Sequence, residues 1–332
     1  MKVLVTGGAG FIGSHLVERL VHEGTEITVL DNLTTGREEN LKRVITEDNI
    51  HFVRGDIRDP EIVSRCLKGV DRVVHLAAIA SVSYSSKNPA ETRDVNIEGT
   101  LNILRACKEH NVAKMIYASS CAVYGEPVFL PVTENHRLSA TSPYAQSKIS
   151  AEAYCKLFRE EHGLSTVCLR AFNVYGARQH NSDYGGVITH FMSQLSKQRP
   201  PIIYGDGEQS RDFIHVDDIV QALMEVLRSP NGTSRTYNLG SGKATSINQV
   251  ARILEHLFGN DELRPIYAGE RAGDVRHSQA DISKAKRELG FEPLISLEEG
   301  LGKLVRSETN LLLATVPQRA DAALRVGNAG RS

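Results

Sequence analysis

Short apolar runs alternate with segments of helical periodicity through the first half of the chain. The runs predict strands at residues 3–5, 26–30, 51–57, 72–78, 114–120 and 168–172. Between them, apolar residues recur every three or four positions, which predicts helices at 14–20, 96–110 and 144–161. Repeated strand–helix units with short connections favour an α/β fold built on a doubly wound parallel sheet.

The first strand runs directly into a glycine-rich turn and then into a helical pattern. Gly7, Gly10 and Gly13 allow a tight turn, and the following helix presents its backbone N–H groups and positive dipole end. This geometry binds a dinucleotide pyrophosphate, although a glycine pattern alone is also compatible with an ordinary loop. The second strand ends at Asp31, where an acid would hold the adenosine ribose hydroxyls and repel a 2′-phosphate. We therefore expect NAD rather than NADP, and a Rossmann sheet.

Three further strands of the predicted sheet end in residues suited to a ligand. Asp56 can accept a hydrogen bond from an adenine amino group or simply cap its strand. Ala77 would let a cofactor approach the backbone, and Ser120 ends the fifth strand. Because ligands bind beyond the carboxyl ends of parallel strands, we expect Asp31, Asp56, Ala77 and Ser120 to face one crevice.

The second half of the chain keeps a weaker pattern, with helices predicted at 188–198 and 247–258 among loops rich in glycine and proline. We expect residues 1–172 to form the NAD-binding domain, with a segment near 211–242 packing back on it. Residues 173–310 would mainly form a smaller C-terminal substrate-binding lobe. Residues 311–332 show no sustained period, which predicts a disordered or loosely docked tail, although 311–313 could cap the domain.

Composition and charge exclude several classes of protein. With 41% hydrophobic and 24% charged residues, the 332-residue chain is typical of a globular protein. A formal net charge of -1 provides no basic excess for nucleic acid. The five cysteines form no C-x-x-C pair, which predicts a reducing compartment and no metal site. No signal peptide or membrane-spanning run is recognisable, so we expect a cytoplasmic protein with no membrane partner.

A tyrosine and a lysine are spaced to act together near the start of the predicted helix at 144–161. Tyr144 and Lys148 lie four residues apart and therefore share one helix face. Positive charge from Lys148 and from an oxidised nicotinamide would lower the pKa of the phenol and make Tyr144 a general base. The alternative is a solvent-facing pair on an amphipathic helix, which becomes less favoured when the pair accompanies a dinucleotide-binding turn.

These motifs, taken in order, resemble the extended short-chain dehydrogenase/reductases, and among them the UDP-galactose 4-epimerases. The resemblance covers about residues 1–305. The matching segments are 6–13, 31–32, 55–56, 75–78, Asn96, 119–120 with 123–125, 144–148, 170–176, 211–218 and 271–274.

The resemblance implies a set of functional residues and a homodimer formed through the helices at 96–110 and 144–161. Tyr144, Lys148 and Ser120 would be catalytic. The cofactor would contact Gly7, Gly10, Phe11, Ile12, Gly13, Asp31, Asn32, Asp56, Ile57, Leu76, Ala77, Ala78, Asn96, Tyr144, Lys148 and Phe172. A UDP-sugar would contact Ser81, Ser120, Tyr144, Asn173, Val187, Tyr204, Arg211, Arg271, Asp274 and Ser278.

The activity implied by the resemblance is NAD-dependent epimerisation at C4 of a UDP-hexose through a transient 4-keto sugar. Cys121 and Ala122 stand where related dehydratases place Asp-Glu and where decarboxylases keep a Glu, which favours epimerisation. Ser278 stands where some epimerases carry a bulky Tyr, so UDP-N-acetylglucosamine should fit beside UDP-glucose. A UDP-glucuronate epimerase, decarboxylase or dehydratase, and a non-catalytic NAD sensor or scaffold, remain alternatives.

Overall fold

The computed structural model describes residues 1–179, 186–229, 236–270 and 273–315, with side chains up to residue 307. Its main feature is a seven-stranded parallel sheet with strand order β10-β6-β5-β4-β1-β2-β3. These strands are β1 Lys2–Thr6, β2 Glu26–Asp31, β3 Ile50–Arg54, β4 Arg72–His75, β5 Lys114–Ser120, β6 Ser165–Ala171 and β10 Thr236–Leu239. The doubly wound α/β sheet predicted from the sequence is confirmed.

Five helices in the described part of the chain cover the sheet because each buries an apolar stripe. They are α1 Phe11–His22, α2 Pro60–Leu67, α5 Gly99–Glu109, α6 Pro143–His162 and α8 Val216–Arg228. The short helices α3 Val82–Lys87 and α4 Pro89–Arg93 bury only the polar residues Ser85 and Thr92. Helices α1 and α8 share one apolar core, and α2, α5 and α6 share another. The central strands are therefore buried on both faces, which explains their continuous apolar runs.

The beginning of α6 is specified locally. Ser142 caps this helix, since its hydroxyl oxygen accepts a hydrogen bond from the N–H of Ala145 at 3.1 Å. Pro143 occupies the first helical position, where its lack of an N–H costs nothing. Tyr144 therefore lies in a well-defined first turn next to the end of β5.

The remaining elements other than α10 form a smaller layer beside the sheet. They are β7 Asn173–Tyr175, α7 Val187–Leu195, β8 Ile202–Tyr204, β9 Ser210–His215, β11 Ala244–Ser246, α9 Ile247–Leu257, β12 Ile266–Ala268 and α11 Leu297–Thr315. Helix α10 Ser283–Leu289 packs against β10 and α8 of the main sheet. Strands β11, β9 and β7 form one small sheet, and β12 pairs with β8. Helices α7, α9 and α11 surround a separate apolar core that contains Phe191, Leu254 and Leu301.

Several element boundaries differ from the sequence prediction. Strand β4 ends at His75 rather than at residue 78, and β3 ends before Asp56. The helix predicted at 96–110 begins with a π-helical turn at Asp94–Glu98. Helix α11 extends through 311–315, the first residues of the expected disordered or loosely docked tail, and 316–332 lie outside the described residues. In the described parts of the chain, no helix has the length and apolarity needed to cross a bilayer.

Candidate active site

The turn between β1 and α1 can be built only from glycines at its closest contacts. Gly7 has a φ of 70°, and a Cβ there would lie 2.7 Å from the backbone nitrogen of Ala77. A Cβ on Gly13 would lie 2.1 Å from the carbonyl oxygen of Gly7. Gly10 precedes α1 in an extended conformation, and no side chain caps the N–H groups of the first turn. The helix N-terminus is thus suited to an anion such as a pyrophosphate.

A cavity of about 750 Å³ extends from this turn along the carboxyl ends of the strands. Asp31 and Ser120, which end β2 and β5, and Asp56 and Ala77, which follow β3 and β4, all line it, as expected from the parallel topology. Every residue expected to contact the cofactor lines this cavity except Asn96. They are Gly7, Gly10, Phe11, Ile12, Gly13, Asp31, Asn32, Asp56, Ile57, Leu76, Ala77, Ala78, Tyr144, Lys148 and Phe172.

The two aspartates at one end of the cavity are held by neighbouring groups. Asp31 accepts hydrogen bonds from the backbone N–H groups of Ala9 at 3.0 Å and Leu33 at 2.8 Å. Burial raises its pKa, and these two bonds oppose that effect. Asp56 accepts from Asn32 at 3.0 Å and from the guanidinium of Arg58 at 2.7 Å. Its hydrogen bond to Arg58 lowers the pKa of Asp56 to about 2.

Asn96 lies behind the cavity wall and supports it, so its expected contact with the cofactor stays a prediction. Its side chain is 1% exposed and does not line the cavity. The side-chain oxygen accepts from the N–H of Ile79 at 2.8 Å, and the amide nitrogen donates to the carbonyl oxygen of Ile79 at 3.0 Å. The same nitrogen donates to the Ser147 hydroxyl at 2.9 Å. Because these bonds use the amide, Asn96 joins the Ile79 loop to α6.

Ser120, Tyr144 and Lys148 meet where β5 ends beside the start of α6. A hydrogen bond links the side chains of Ser120 and Tyr144. The Lys148 ammonium donates to the carbonyl oxygen of Ala118 at 2.7 Å and lies 5.8 Å from the centre of the Tyr144 ring. It also lies 4.8 Å from the centre of the Tyr117 ring. All three predicted catalytic groups therefore share one corner of the cavity.

Burial dominates the ionisation of this group. It raises the pKa of Tyr144 to about 12, and the hydrogen bond from Ser120 only partly offsets the increase. It also lowers the pKa of Lys148 to about 8, against the opposing charge of Glu152. The expected lowering of the phenol pKa includes the charge of an oxidised nicotinamide. Without that charge the side chains leave the pKa of Tyr144 high, so positive charge at the cavity is needed for Tyr144 to act as a base.

Most residues expected to contact a UDP-sugar lie outside the large cavity. Of that set, Ser120 and Tyr144 line it, and Arg271 lies outside the described residues. Asn173, Arg211, Asp274 and Ser278 gather around β9. Arg211 forms an ion pair with Asp274, Asn173 donates to the carbonyl oxygen of Asp212 at 3.3 Å, and the Ser278 N–H donates to the carbonyl oxygen of Ser210 at 3.1 Å.

The other three expected contacts occupy separate places. Tyr204 ends β8 and is 37% exposed. Val187 is the first residue of α7. Ser81 is buried and caps α3, since its hydroxyl oxygen accepts from the N–H of Tyr84 at 3.1 Å. The structure does not bring these three side chains together at the large cavity.

The sequence prediction missed several cationic and amide residues of the cavity wall. Arg37, Arg58, Arg178 and Gln179 line the cavity. Arg178 has a φ of 67° and forms an ion pair with Glu18 on α1. Arg178 follows the matching segment at 170–176 by two residues, and this proximity could have indicated that it lies at the cavity. The described part of the chain contains no cluster of three metal-ligating His, Cys, Asp or Glu residues.

Comparisons with known proteins agree with this architecture. The family model described as the NAD dependent epimerase/dehydratase family matches residues 3–240. A putative UDP-glucose 4-epimerase from Methanocaldococcus jannaschii is 41% identical over 305 residues, covering 91% of this chain and 97% of the relative.

Two solved structures resemble nearly the whole chain. UDP-glucose 4-epimerase from Thermotoga maritima, solved with UDP-glucose, has a TM-score of 0.89 and 40% identity over 94% of this chain and 100% of that chain. UDP-N-acetylglucosamine 4-epimerase from Methanobrevibacter ruminantium, in complex with UDP-N-acetylmuramic acid, has a TM-score of 0.89 and 40% identity. That alignment covers 93% of this chain and 98% of the other.

Proteins with other activities also match. A UDP-glucuronic acid decarboxylase from Xenopus tropicalis is 36% identical over 92% of this chain and 71% of its own length. A UDP-glucuronic acid 4-epimerase from Bacillus cereus, solved with NAD, has a TM-score of 0.88 and 31% identity over 94% of this chain and 100% of that chain. The similarity therefore extends across several reactions on UDP-sugars.

Proposed function

The chain belongs to the NAD dependent epimerase/dehydratase family, and we propose that it is a UDP-hexose 4-epimerase. It is an enzyme of this family, and NAD is its cofactor. The proposed substrates are UDP-glucose and UDP-galactose, together with the corresponding N-acetylated pair. The observation that carries the proposal is the meeting of Ser120, Tyr144 and Lys148 in a cavity whose adjacent residues, Cys121 and Ala122, provide no acid.

The residues of the cavity fit NAD. The first turn of α1, whose N–H groups no side chain caps, would bind the pyrophosphate. The glycines before it would let the pyrophosphate approach the backbone. Asp31, at the end of β2, would accept hydrogen bonds from the adenosine ribose hydroxyls. When bound, NAD supplies a positively charged nicotinamide that can accept a hydride and give it back.

The three catalytic side chains would divide the proton transfer at the sugar. Tyr144 would remove the proton from the 4-hydroxyl of the sugar and later return it to the same oxygen. Ser120 would hydrogen-bond that oxygen while remaining bonded to the tyrosine. The Lys148 ammonium, buried one turn further along α6, would stabilise the phenolate by its charge. With NAD bound, a hydride taken from one face of C4 and returned to the opposite face of the 4-keto sugar would invert this centre without net oxidation.

The residues after Ser120 argue against elimination of water. Elimination of water from a sugar needs a second acid and base at the reacting carbons. Burial raises the pKa of the Cys121 thiol to about 11, so it stays protonated at neutral pH, and Ala122 has no titratable group. The cavity's carboxylates are engaged elsewhere: Asp31 by Ala9 and Leu33, Asp56 by Arg58, and Glu91 by the Tyr84 hydroxyl at 2.7 Å.

The UDP portion would bind beside β9. Arg211 on β9 would help to neutralise the diphosphate, and Arg271, which lies outside the described residues, would do the same. Asp274 would then leave its ion pair with Arg211 and hydrogen-bond the uridine ribose instead. Asn173 and the exposed Tyr204 ring would contact the nucleotide, and Ser81 and Val187 the sugar side. The small Ser278 would leave room for an N-acetyl group.

The proposed assembly is a homodimer in the cytoplasm. Helices α5 and α6 pack side by side, and Leu157 on α6 is 46% exposed. An apolar side chain at that position would be covered by the same helices of a second copy. The cytoplasmic location rests on the five free cysteines, four of them buried.

The proposed function is tested by incubating the purified protein, without added cofactor, with UDP-glucose, UDP-N-acetylglucosamine and UDP-glucuronate separately. Chromatography would resolve each compound from its C4 epimer. We expect the first two to reach an equilibrium mixture with their epimers. Conversion of UDP-glucuronate alone would assign the uronate reaction instead. A stable 4-keto-6-deoxy product would identify a dehydratase, and a pentose product a decarboxylase.

A further inference from the structure

A buried ion pair lies directly behind the three proposed catalytic groups. Glu152 on α6 and Arg170 on β6 have side chains that are 8% and 6% exposed. The guanidinium of Arg170 donates to the carboxylate through Nη2 at 2.6 Å and through Nε at 2.9 Å. The Ser119 hydroxyl donates to the same carboxylate at 2.5 Å. Glu152 is therefore bonded both to its ion-pair partner and to the residue before Ser120.

The far side of Arg170 is also fully engaged. Its Nη1 donates to the Tyr124 hydroxyl at 2.9 Å and to the carbonyl oxygen of Glu134 at 3.1 Å. Tyr124 donates in turn to the side-chain oxygen of Asn238 on β10 at 2.5 Å. The guanidinium is thus fixed in direction from both ends, and it holds the carboxylate of Glu152 in one orientation.

Residues 118–120 of β5 contact three successive turns of α6, although not in sequence order. Tyr144, Lys148 and Glu152 are four residues apart and share one helix face. The contacts are Ser120 with Tyr144, the Ala118 carbonyl oxygen with Lys148 at 2.7 Å, and Ser119 with Glu152 at 2.5 Å. The third contact therefore sets the register of the two elements that carry the first two.

An apolar pair of similar volume would fill this buried space without the desolvation cost of two charges. Unlike an apolar pair, a carboxylate and a guanidinium make directed hydrogen bonds and carry charge. We propose, resting on the proposed function, that Glu152, Arg170 and Ser119 form a positioning unit that fixes Ser120, Tyr144 and Lys148 relative to one another. Ser119 lines the cavity, whereas Glu152 and Arg170 are not part of its lining, so the ion pair need not touch the sugar or the cofactor.

The positioning unit also sets the charge near Lys148. Other groups face the ammonium or the phenol from each neighbouring element: His75 of β4, Tyr117 of β5, Cys121 after β5, Cys155 of α6 and Cys168 of β6. Burial lowers the pKa of His75 to about 3. The hydrogen bond with Cys155, together with burial, raises the pKa of Cys168, so neither group is charged near neutrality. Among the groups named here, Glu152 is the carboxylate that favours the charged form of Lys148.

Two variants test the unit while preserving the packing. Ser119→Ala removes one hydroxyl and leaves the ion pair intact. Glu152→Leu combined with Arg170→Met replaces the pair by apolar side chains, which avoids leaving one buried charge alone. The matched control is Lys114→Met, which removes a fully buried ammonium at the opposite end of β5, where Lys114 donates to Val226 and Ser229.

The measurements are kcat and KM for the epimerisation, NAD affinity, and the thermal unfolding temperature. We expect kcat to fall at least about tenfold in Ser119→Ala and about a hundredfold in the double variant. KM and NAD affinity should stay within about threefold in both. Lys114→Met should lower the unfolding temperature and leave kcat within about twofold. A folded Ser119→Ala or double variant with kcat within about twofold of the wild type would overturn the proposal.

A second readout separates this proposal from the proposed function. The ionisation of Tyr144 can be followed by phenolate absorbance in the NAD-loaded protein, as the difference from Tyr144→Phe. We expect the phenol of both variants to ionise at higher pH than in the wild type. An unchanged ionisation would overturn the positioning role. Absence of turnover in the wild type would count only against the epimerase activity, and the phenolate titration would still decide the role of the unit.

Discussion

At the scale of single residues, the proposed chemistry depends most on the hydroxyl of Tyr144. Tyr144→Phe keeps the ring and its packing but removes the group that would take the proton. We expect kcat to fall by a factor on the order of 10² to 10⁴ while NAD affinity stays near that of the wild type. Turnover and NAD titration measure the two effects. Unchanged turnover would instead support a non-catalytic role.

The size of residue 278 is expected to set the acceptance of N-acetylated sugars. Ser278→Tyr should lower kcat/KM for UDP-N-acetylglucosamine at least about tenfold and leave that for UDP-glucose within about threefold, as expected for a steric effect of a few kcal/mol. Ser278 is 7% exposed and its N–H is bonded to β9, so Ser278→Ala serves as the control for a change at a buried position. Equal losses on both substrates would rule out a gate.

The Asp56–Arg58 pair makes folding stability depend on acidic pH. The pKa of Asp56 is lowered from 3.8 to about 2, so the folded state binds this proton less tightly than the unfolded chain does. Its contribution is therefore complete above about pH 5 and disappears as the pH falls from about 4 to 2. Because the carboxylate is 26% exposed, we estimate about 1–2 kcal/mol.

Denaturant unfolding of the wild type and of Asp56→Asn would measure this contribution. The difference in unfolding free energy should be present at about pH 6 and should shrink towards zero near about pH 2, as expected from linkage, at roughly constant salt. A difference that is independent of pH would mean that the charge of Asp56 is not responsible.

At the scale of the elements, the sequence was most informative where structure is determined by neighbouring residues. The turn at Gly7 to Gly13 and the cap at Ser142 specify their elements within a few positions, so β1, α1 and the start of α6 could be predicted. The hydrogen bonds of Asn96 could not be predicted, because its partners Ile79 and Ser147 lie at distant positions in the sequence. The same limit hid the bond between Ser119 and Glu152, which requires the register of β5 against α6.

The π-helical turn at Asp94–Glu98 is expected to depend on the side chain of Asn96. Asn96→Ala would leave the N–H and carbonyl of Ile79 buried without partners, which should cost about 2–4 kcal/mol of unfolding free energy. Since Ile79 lines the large cavity, NAD affinity should fall as well. Denaturant unfolding and NAD titration are the measurements.

Asn102→Ala is the matched control for this prediction. Asn102 lies on α5 and donates to the carbonyl oxygens of Ile57 and Arg58 at 3.1 and 3.2 Å, but it is only partly buried. We expect it to cost about 1 kcal/mol or less, because water can replace its bonds. Equal costs for the two variants would contradict the special role of Asn96.

At the scale of the whole molecule, the parallel order of the strands explains both what could be predicted and what could not. Strands that alternate with helices run parallel, so their carboxyl ends all lie at one edge of the sheet. The crevice at that edge could therefore be predicted from the sequence. We expected a segment near 211–242 to pack back on the NAD-binding domain, but the pairing of β10, within that segment, with β6 follows from no local pattern. The placement of Tyr204, Arg211 and Asp274 likewise depends on the small sheets, which have only three-residue strands at four of their five positions.

The sheet edge also predicts how the whole protein responds to its cofactor. Protein stripped of bound nucleotide should unfold at a higher temperature with NAD, because a ligand that binds only the folded state adds about 2.7 kcal/mol at a hundredfold excess over Kd. NADP at the same concentration should give a much smaller shift, since its 2′-phosphate would meet the Asp31 carboxylate, which lies at the cavity wall. Calorimetry with each nucleotide measures the difference. Asp31→Asn is the informative variant, because removing the charge should bring the shifts with NAD and NADP closer together. Equal shifts in the wild type would mean that Asp31 does not cause a preference for NAD.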